Sequence, residues 1–227
     1  MRYPYLLFDA DDTLFDFPRA SSRAFSIMCQ MDGIPDTREV RQLYHDINRE
    51  LWDAFDRGEV TKDHVTLERY VRLLQALKLD LDPARCNRDY LTALGEGVYP
   101  LPHAEAVCRE LVRRGHRLYI LTNAVASVQR SRLQGSVFAD LITAAFISED
   151  AGASKPDRAY YDYVRAQVPA LTAENCLVIG DSLATDIRGA NNAGLPCCWF
   201  NPKGLAPWEG LRIDHTITDL RQLLDIV

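Results

Sequence analysis

The stretch Tyr5-Leu6-Leu7-Phe8-Asp9-Ala10-Asp11-Asp12-Thr13-Leu14 ends an apolar run abruptly on a cluster of acids. An apolar run this short, with no polar alternation and closed by turn residues, reads as a strand buried on both faces of a parallel sheet. The same signature returns at Leu118–Leu121 before Thr122 and at Cys176–Ile179 before Gly180 and Asp181. Leu141–Ile147 before Ser148 is a noisier instance, and Cys197 and Cys198 lie in a further apolar, strand-like run. Helical periodicity fills the intervals. Ala104, Val107, Cys108, Leu111 and Val112 share one helix face with Gly115 as the stop, Asp157–Val168 follows Pro156, and Asp186–Ala193 ends at Gly194 and Pro196. Strands alternating with helices predict an α/β fold, a doubly wound parallel sheet of Rossmann-like build.

Residues 16–98 break that alternation. They read as consecutive helices at about Pro18–Met31, Thr37–Asp56, Thr61–Leu79 and Pro83–Leu94, separated by short Gly, Pro and Asp punctuation. Leu67, Tyr70, Val71 and Leu74 mark the apolar face expected of the third. The domain reading is therefore a core built from 1–15 and 99–227, interrupted after its first strand by an all-helical insert at 16–98. No internal repeat or low-complexity tract is seen.

Composition limits the function. The chain has 227 residues, 47% hydrophobic and 26% charged, which is enough to bury a core without disulfides or structural metals. No apolar stretch approaches the ~20 residues of a membrane helix. Acids break the first apolar run too early for a signal peptide, so a cytoplasmic protein with reduced cysteines is expected. A formal charge of −6 argues against nucleic-acid polymers and anionic membranes as partners. The six cysteines show no C-x-x-C spacing, the histidines no zinc-type pairing, and neither G-x-S-x-G nor a Walker G-K-[ST] occurs.

Ligands of open parallel sheets bind beyond the carboxyl ends of the strands. The residues expected there are Asp9, Asp11, Asp12 and Thr13, then Thr122 and Asn123, then Ser154-Lys155-Pro156-Asp157, then Gly180-Asp181-Ser182 with Asp186 one turn on. So many acids coexist comfortably only around a cation, and an all-oxygen ligand set favours magnesium. Lys155 and the Thr122 hydroxyl could hold a phosphate group opposite it. Singly, Asp181 and Asp186 read as helix N-caps, Lys155 as a loop lysine, and Thr122 and Asn123 as turn formers. Their recurrence at successive strand ends turns the reading toward catalysis.

The pattern Asp9-x-Asp11-x-Thr13, Thr122, Lys155, and Gly180-Asp181 with Asp186 resembles the four signature motifs of the haloacid dehalogenase superfamily, whose cap the helical insert would be. Phe8-Asp9-Ala10-Asp11-Asp12-Thr13-Leu14-Phe15, Leu51-Trp52, Gly58 with Thr61, Pro100-Leu101-Pro102 and Ile147-Ser148-Glu149 look like the bacterial pyrimidine 5′-nucleotidases of that superfamily. The resemblance implies a magnesium-dependent phosphomonoester hydrolase. Asp9 would be the nucleophile that forms an aspartyl-phosphate, and Asp11 the acid and base, in surroundings that keep it neutral when substrate binds. Mg2+ would be held by Asp9, the Asp11 backbone carbonyl and Asp181. Lys155, Thr122, Asn123 and nearby loop amides would bind phosphate, and Asp186 would orient Lys155 or a water. The family often has Gly where this chain has Asp12, which is given no catalytic role.

The acid at Asp11 argues for phosphate esters over carbon–halogen bonds. A phosphonate hydrolase would need a Schiff-base lysine in the cap, where only Lys62 and Lys78 occur. The substrate implied is a pyrimidine (deoxy)nucleoside 5′-monophosphate. The alternatives are a phosphatase or mutase of small sugar phosphates or phosphoglycolate and, more distantly, a catalytically silent binding protein on the same fold. Substrate choice is expected from the cap, where Trp52, Arg69 and the Arg57-Gly58-Glu59 turn are candidate contacts. Phe25, Tyr44, Phe55 and Tyr70 are rings that could stack on a base or form the cap's own core.

Overall fold

Buried apolar runs that end in polar turns should sit side by side, and they do. The computed structural model describes residues 2–227. The chain divides into two compact units, one joining the N-terminal stretch through Phe17 to Val98–Val227, the other spanning Pro18–Gly97.

The first unit holds a six-stranded, all-parallel sheet: β1 (Tyr5–Phe8), β2 (Arg117–Thr122), β3 (Ile142–Ile147), β4 (Cys176–Gly180), β5 (Cys197–Phe200) and β6 (His215–Ile217), in the order β3-β2-β1-β4-β5-β6. Leu6 and Phe8 pack with Val107 and Leu111 on one face, while Leu7 packs with Tyr161 and Ile187 on the other. Both faces of β1 are thus covered, which is why its sequence shows no polar alternation. Because the order runs outward through β2 and β3 and then resumes at β4 beside β1, the switch point lies between β1 and β4. Ligands of doubly wound sheets bind there. The backbone N–H of Asp9 donates to Ile179 O across this seam at 2.8 Å.

Five of the strands follow the sequence reading, β5 being the apolar run at Cys197 and Cys198. The three-residue β6 was not expected, being too short to carry a periodic signal. Asp186–Ala193, expected as one helix, is a π-helical turn at Leu183–Ile187 running into a short α-helix at Arg188–Ala193. A helix at Ala126–Gln134 was missed outright, because Gln129 and Arg132 are buried on it beside Ala126 and Val128 and so destroy its amphipathic pattern. All six cysteines are buried and none forms a disulfide. No helix among the described residues is long and apolar enough to cross a membrane.

The second unit is made of α1 (Phe17–Asp32), α2 (Arg38–Asp56), α3 (Lys62–Leu77) and α4 (Pro83–Gly95). Thr37, Thr61 and Asp82 cap the last three by accepting backbone N–H bonds, each worth about 1 kcal/mol. Phe25, Tyr44, Tyr70 and Tyr90 form an aromatic core, with Phe25 and Tyr44 centroids 4.5 Å apart. On α3 the buried face is Val65, Arg69, Tyr70, Leu73 and Leu74, so Leu67, expected inside, is turned to solvent at 42% exposure. An arginine takes the place the pattern gave to leucine.

Candidate active site

The loop after β1 is a tight turn. Leu14 and Phe15 both donate to Ala10 O, Asp12 N–H donates to Phe15 O, and Asp11 and Phe15 form a short bridge. Asp12 lies at φ 60°, in the left-handed region that glycine adopts most easily and Asp tolerates. The turn projects Asp9 from the end of β1, where it is 9% exposed.

Lys155 reaches the same point from the loop after the helical turn Ser148–Ala151. Its Nζ donates to Asp9 Oδ1 at 2.6 Å, to Asp186 Oδ1 at 2.6 Å and to Leu121 O at 3.0 Å, with the side chain only 3% exposed. Asn123 fixes the lysine backbone from both sides, its Nδ2 donating to Lys155 O and its Oδ1 accepting from Lys155 N–H, each at 2.9 Å. The Asn123 side chain, expected on phosphate, is therefore committed to aligning Lys155. Thr122 is 2% exposed, and its hydroxyl accepts from Ala124 N–H at 3.1 Å. Its N–H donates to the Tyr160 hydroxyl, which in turn donates to Phe146 O and so ties the ends of β2 and β3 together.

Asp181 follows β4, its carbonyl accepting from Trp199 Nε1 at 2.8 Å. Asp186 is carried in by the π-helical turn, a distortion common at functional sites. Its Oδ2 accepts from Ser182 N–H at 3.1 Å. A Cβ on Gly180 would fall 2.3 Å from that carboxylate, so only glycine leaves room for it. Neither acid caps a helix: Ser182 caps the π turn, and Ile187 precedes the α-helix.

The carboxylates of Asp9, Asp181 and Asp186 lie within 4.8 Å of one another. Three acids share one lysine, and the excess charge shows. Burial, opposed by Lys155 and reinforced by Asp186 and Asp181, holds Asp9 well above the carboxylate range. Asp181 is pushed up to about 7 by burial, then by Asp186 and Asp12. Burial works against the charge on Lys155, but Asp186 and Asp9 outweigh it and raise the lysine. An all-oxygen set this crowded fits a hard divalent cation, which would relieve the repulsion. Asp186 stands in this cluster and also accepts a hydrogen bond from Lys155 Nζ.

Asp11 is outside this group of three. Its Oδ1 accepts a hydrogen bond from Arg132 Nη1, and the Arg132 side chain is fully buried. The sequence reading gave Asp11 no partner, and the structure places the Arg132 guanidinium on it. Arg132 and Gln129 were missed because a polar pair three apart on a helix ordinarily faces water; their only trace is the apolar flanks Val128 and Leu133.

In the helical unit, the Arg69 guanidinium donates to Thr66 O, Asn48 Oδ1 and Asn87 Oδ1 and lies over the Tyr70 and Tyr90 rings. At 3% exposure it sits in the core of the helical unit and is not the solvated side chain considered from sequence. Trp52 is half-buried, edge-on to Phe55 at 5.4 Å.

Among known proteins, the chain is 38% identical to the HAD-hydrolase YfnB of Bacillus subtilis, over 88% of this chain and 85% of that one. It is 30% identical to the pyrimidine 5′-nucleotidase PynA of Streptococcus pneumoniae, over 99% of this chain and 95% of that one. A crystal structure of Bacillus subtilis YfnB bound to magnesium superposes with a TM-score of 0.93 at 35% identity, over 100% of this chain and 99% of that one. The family model for haloacid dehalogenase-like hydrolases matches residues 3–194, which takes in the first four strands and the helical insert, and the chain belongs to that family.

Proposed function

We propose that this hydrolase is a magnesium-dependent phosphomonoesterase that works through an aspartyl-phosphate at Asp9, on pyrimidine nucleoside and deoxynucleoside 5′-monophosphates. The observation that carries the reading is the buried Asp9–Lys155–Asp186 chain with Asp181 beside it, at the switch point of the sheet. Asp9, the Asp11 carbonyl and Asp181 would hold Mg2+, which supplies charge neutralisation between the incoming phosphate and the nucleophile.

The chain's own residues do the rest. Lys155, anchored by Asn123, holds the Asp9 carboxylate in line with phosphorus and would turn one of its three engaged N–H groups to a phosphate oxygen. The loop amides after Thr122 are further donors to that group. Asp9 attacks phosphorus as Asp11 gives a proton to the ester oxygen, and Asp11 then takes one from the water that hydrolyses the acyl phosphate. An acid at position 11 serves an oxygen leaving group and has no use for a halide. The substrate class is supported by the PynA likeness along almost the whole chain. The test is phosphate release with magnesium from dUMP, dTMP, AMP, phosphoglycolate and hexose phosphates at equal concentration. Preference for the two pyrimidine nucleotides is expected; preference for the sugar phosphates or phosphoglycolate overturns the substrate assignment.

A further inference from the structure

Arg132 has no role in the chemistry above, yet it is among the largest fully buried side chains of the protein. A buried guanidinium is costly unless its partners repay the desolvation, and a leucine or methionine would fill the same space more cheaply. Its partners are specific. Nη1 donates to Asp11 Oδ1 and lies 3.3 Å from Gln129 Oε1, and the guanidinium carbon sits 4.6 Å from the centre of the Phe15 ring. Asp11 and Phe15 are the two residues that bridge across the turn. One side chain therefore grips both ends of the loop that follows the nucleophile. The Phe15 ring is held in turn by an edge-on contact with Phe138 at 5.1 Å.

The two oxygens of Asp11 are not equivalent. Oδ1 is tied to Arg132, while Oδ2 takes no hydrogen bond among the described residues, and a quarter of the side chain is open to solvent. The Asp11 carboxylate is also kept out of the Asp9, Asp181 and Asp186 cluster, where a fourth acid would compete as a cation ligand and be lost to proton transfer.

We propose that Arg132 is the positioning residue of the general acid: it fixes Asp11 through Oδ1 so that Oδ2 alone exchanges the proton. In the first half-reaction an Asp9 oxygen–phosphorus bond forms and the phosphorus–ester oxygen bond breaks, its electron pair staying on the ester oxygen. The Oδ2 proton moves to that oxygen, so the alcohol leaves neutral and Asp11 is left as a carboxylate facing Arg132. The inference rests on the phosphatase reading and deepens it.

The test compares leaving groups. The nucleoside of dUMP leaves as an alkoxide unless protonated, whereas the p-nitrophenolate of p-nitrophenyl phosphate leaves as a stable anion. We expect Arg132→Met to lower kcat/KM about a hundredfold on dUMP and far less on p-nitrophenyl phosphate, because general acid catalysis contributes on that scale only where a proton is needed. Arg132→Lys, which keeps the charge on a more flexible stem, should recover part of the loss and carries the test alone if the methionine variant does not fold. Asp11→Asn should show the same selectivity, more strongly. Equal loss on both esters, or none, with Asp11→Asn still selective, overturns the role of Arg132 and leaves the phosphatase reading intact. If the unaltered protein releases phosphate from neither ester, or if Asp11→Asn is itself unselective, the underlying reading falls and the proposal falls with it.

Discussion

Both units of this protein bury cationic side chains, on opposite terms. In the helical unit Arg69 is surrounded by neutral dipoles and aromatic faces, namely two asparagine carbonyls, a backbone carbonyl and the Tyr70 and Tyr90 rings. Each guanidinium nitrogen has an acceptor within the unit, and the arginine works as packing with polar specificity. In the α/β unit Lys155 meets two carboxylates at 2.6 Å, with a third acid close by. Burial does not separate these two cases, since both cations are 3% exposed. The partners do: Arg69 meets only neutral acceptors of its own unit, whereas Lys155 stands among more carboxylates than it can neutralise, the kind of imbalance that a bound cation would relieve.

Substitutions should pull the two regions apart. Asp9→Asn has the largest expected effect, a fall in magnesium-dependent phosphate release from dUMP by about 10⁴-fold or more, with an unchanged circular dichroism spectrum. A retained rate would break the assignment of the α/β cluster as the reactive one. Lys155→Met leaves Asp9 and Asp186 buried without their counter-charge. It should cost about 3–5 kcal/mol in urea unfolding with chelator present, and about 10³-fold in kcat/KM, with magnesium restoring part of the stability and little of the rate.

Arg69→Ala should lose about 2–4 kcal/mol in the same unfolding experiment, because it opens a cavity and strands two asparagine carbonyls. Turnover of p-nitrophenyl phosphate by the folded fraction should be nearly unchanged. A selective loss on dUMP without a loss of stability would return Arg69 to substrate recognition and erase the contrast between the units.

The smallest effect is in the pH dependence of the chelated protein. Asp181 is pushed up to about 7, by burial and then by Asp186 and Asp12, and Asp12 to about 6, by burial and then by Asp11, both from 3.8. The folded chain therefore retains protons that the unfolded chain has released. Stability from these groups is fully present below about pH 4 and is lost as pH rises toward 7. Thermal melts in chelator should shift downward across that window, and added magnesium should raise the midpoint more at pH 7.5 than at pH 5. A midpoint that rises with pH in chelator would mean that the acids are already neutralised.

The reactive edge was legible in the sequence because two regularities coincide there: an uninterrupted apolar run identifies a buried parallel strand, and the acid or hydroxyl that ends it must lie at one edge of the sheet. Asp9, Thr122 and Asp181 follow from that, while Lys155 ends no strand and lies in the loop beyond the helical turn that follows β3. The supporting residues were not legible, because each breaks the rule by which helices are read. Gln129 and Arg132 are polar and buried, Leu67 is apolar and exposed, and Arg69 fills a core position. Asp186 was placed one helical turn after Asp181, yet the π-helical geometry that brings its carboxylate to Lys155 has no sequence signal comparable to a helix period. Asn123 shows the same limit, since its residue type suits an anion and a backbone clamp equally well, and only the two hydrogen bonds to Lys155 decide between them.

The most direct measurement is chemical trapping of the covalent intermediate. Protein turning over dUMP with magnesium is quenched, reduced with borohydride and digested, and the peptide spanning residues 5–19 is sequenced by mass spectrometry. An aspartyl-phosphate at Asp9 is reduced to homoserine at that position, and the conversion should disappear in Asp9→Asn and when magnesium is omitted. Homoserine at any other acid, or an unmodified Asp9 during sustained phosphate release, would remove the nucleophile from the end of β1 and with it the mechanism drawn from this site.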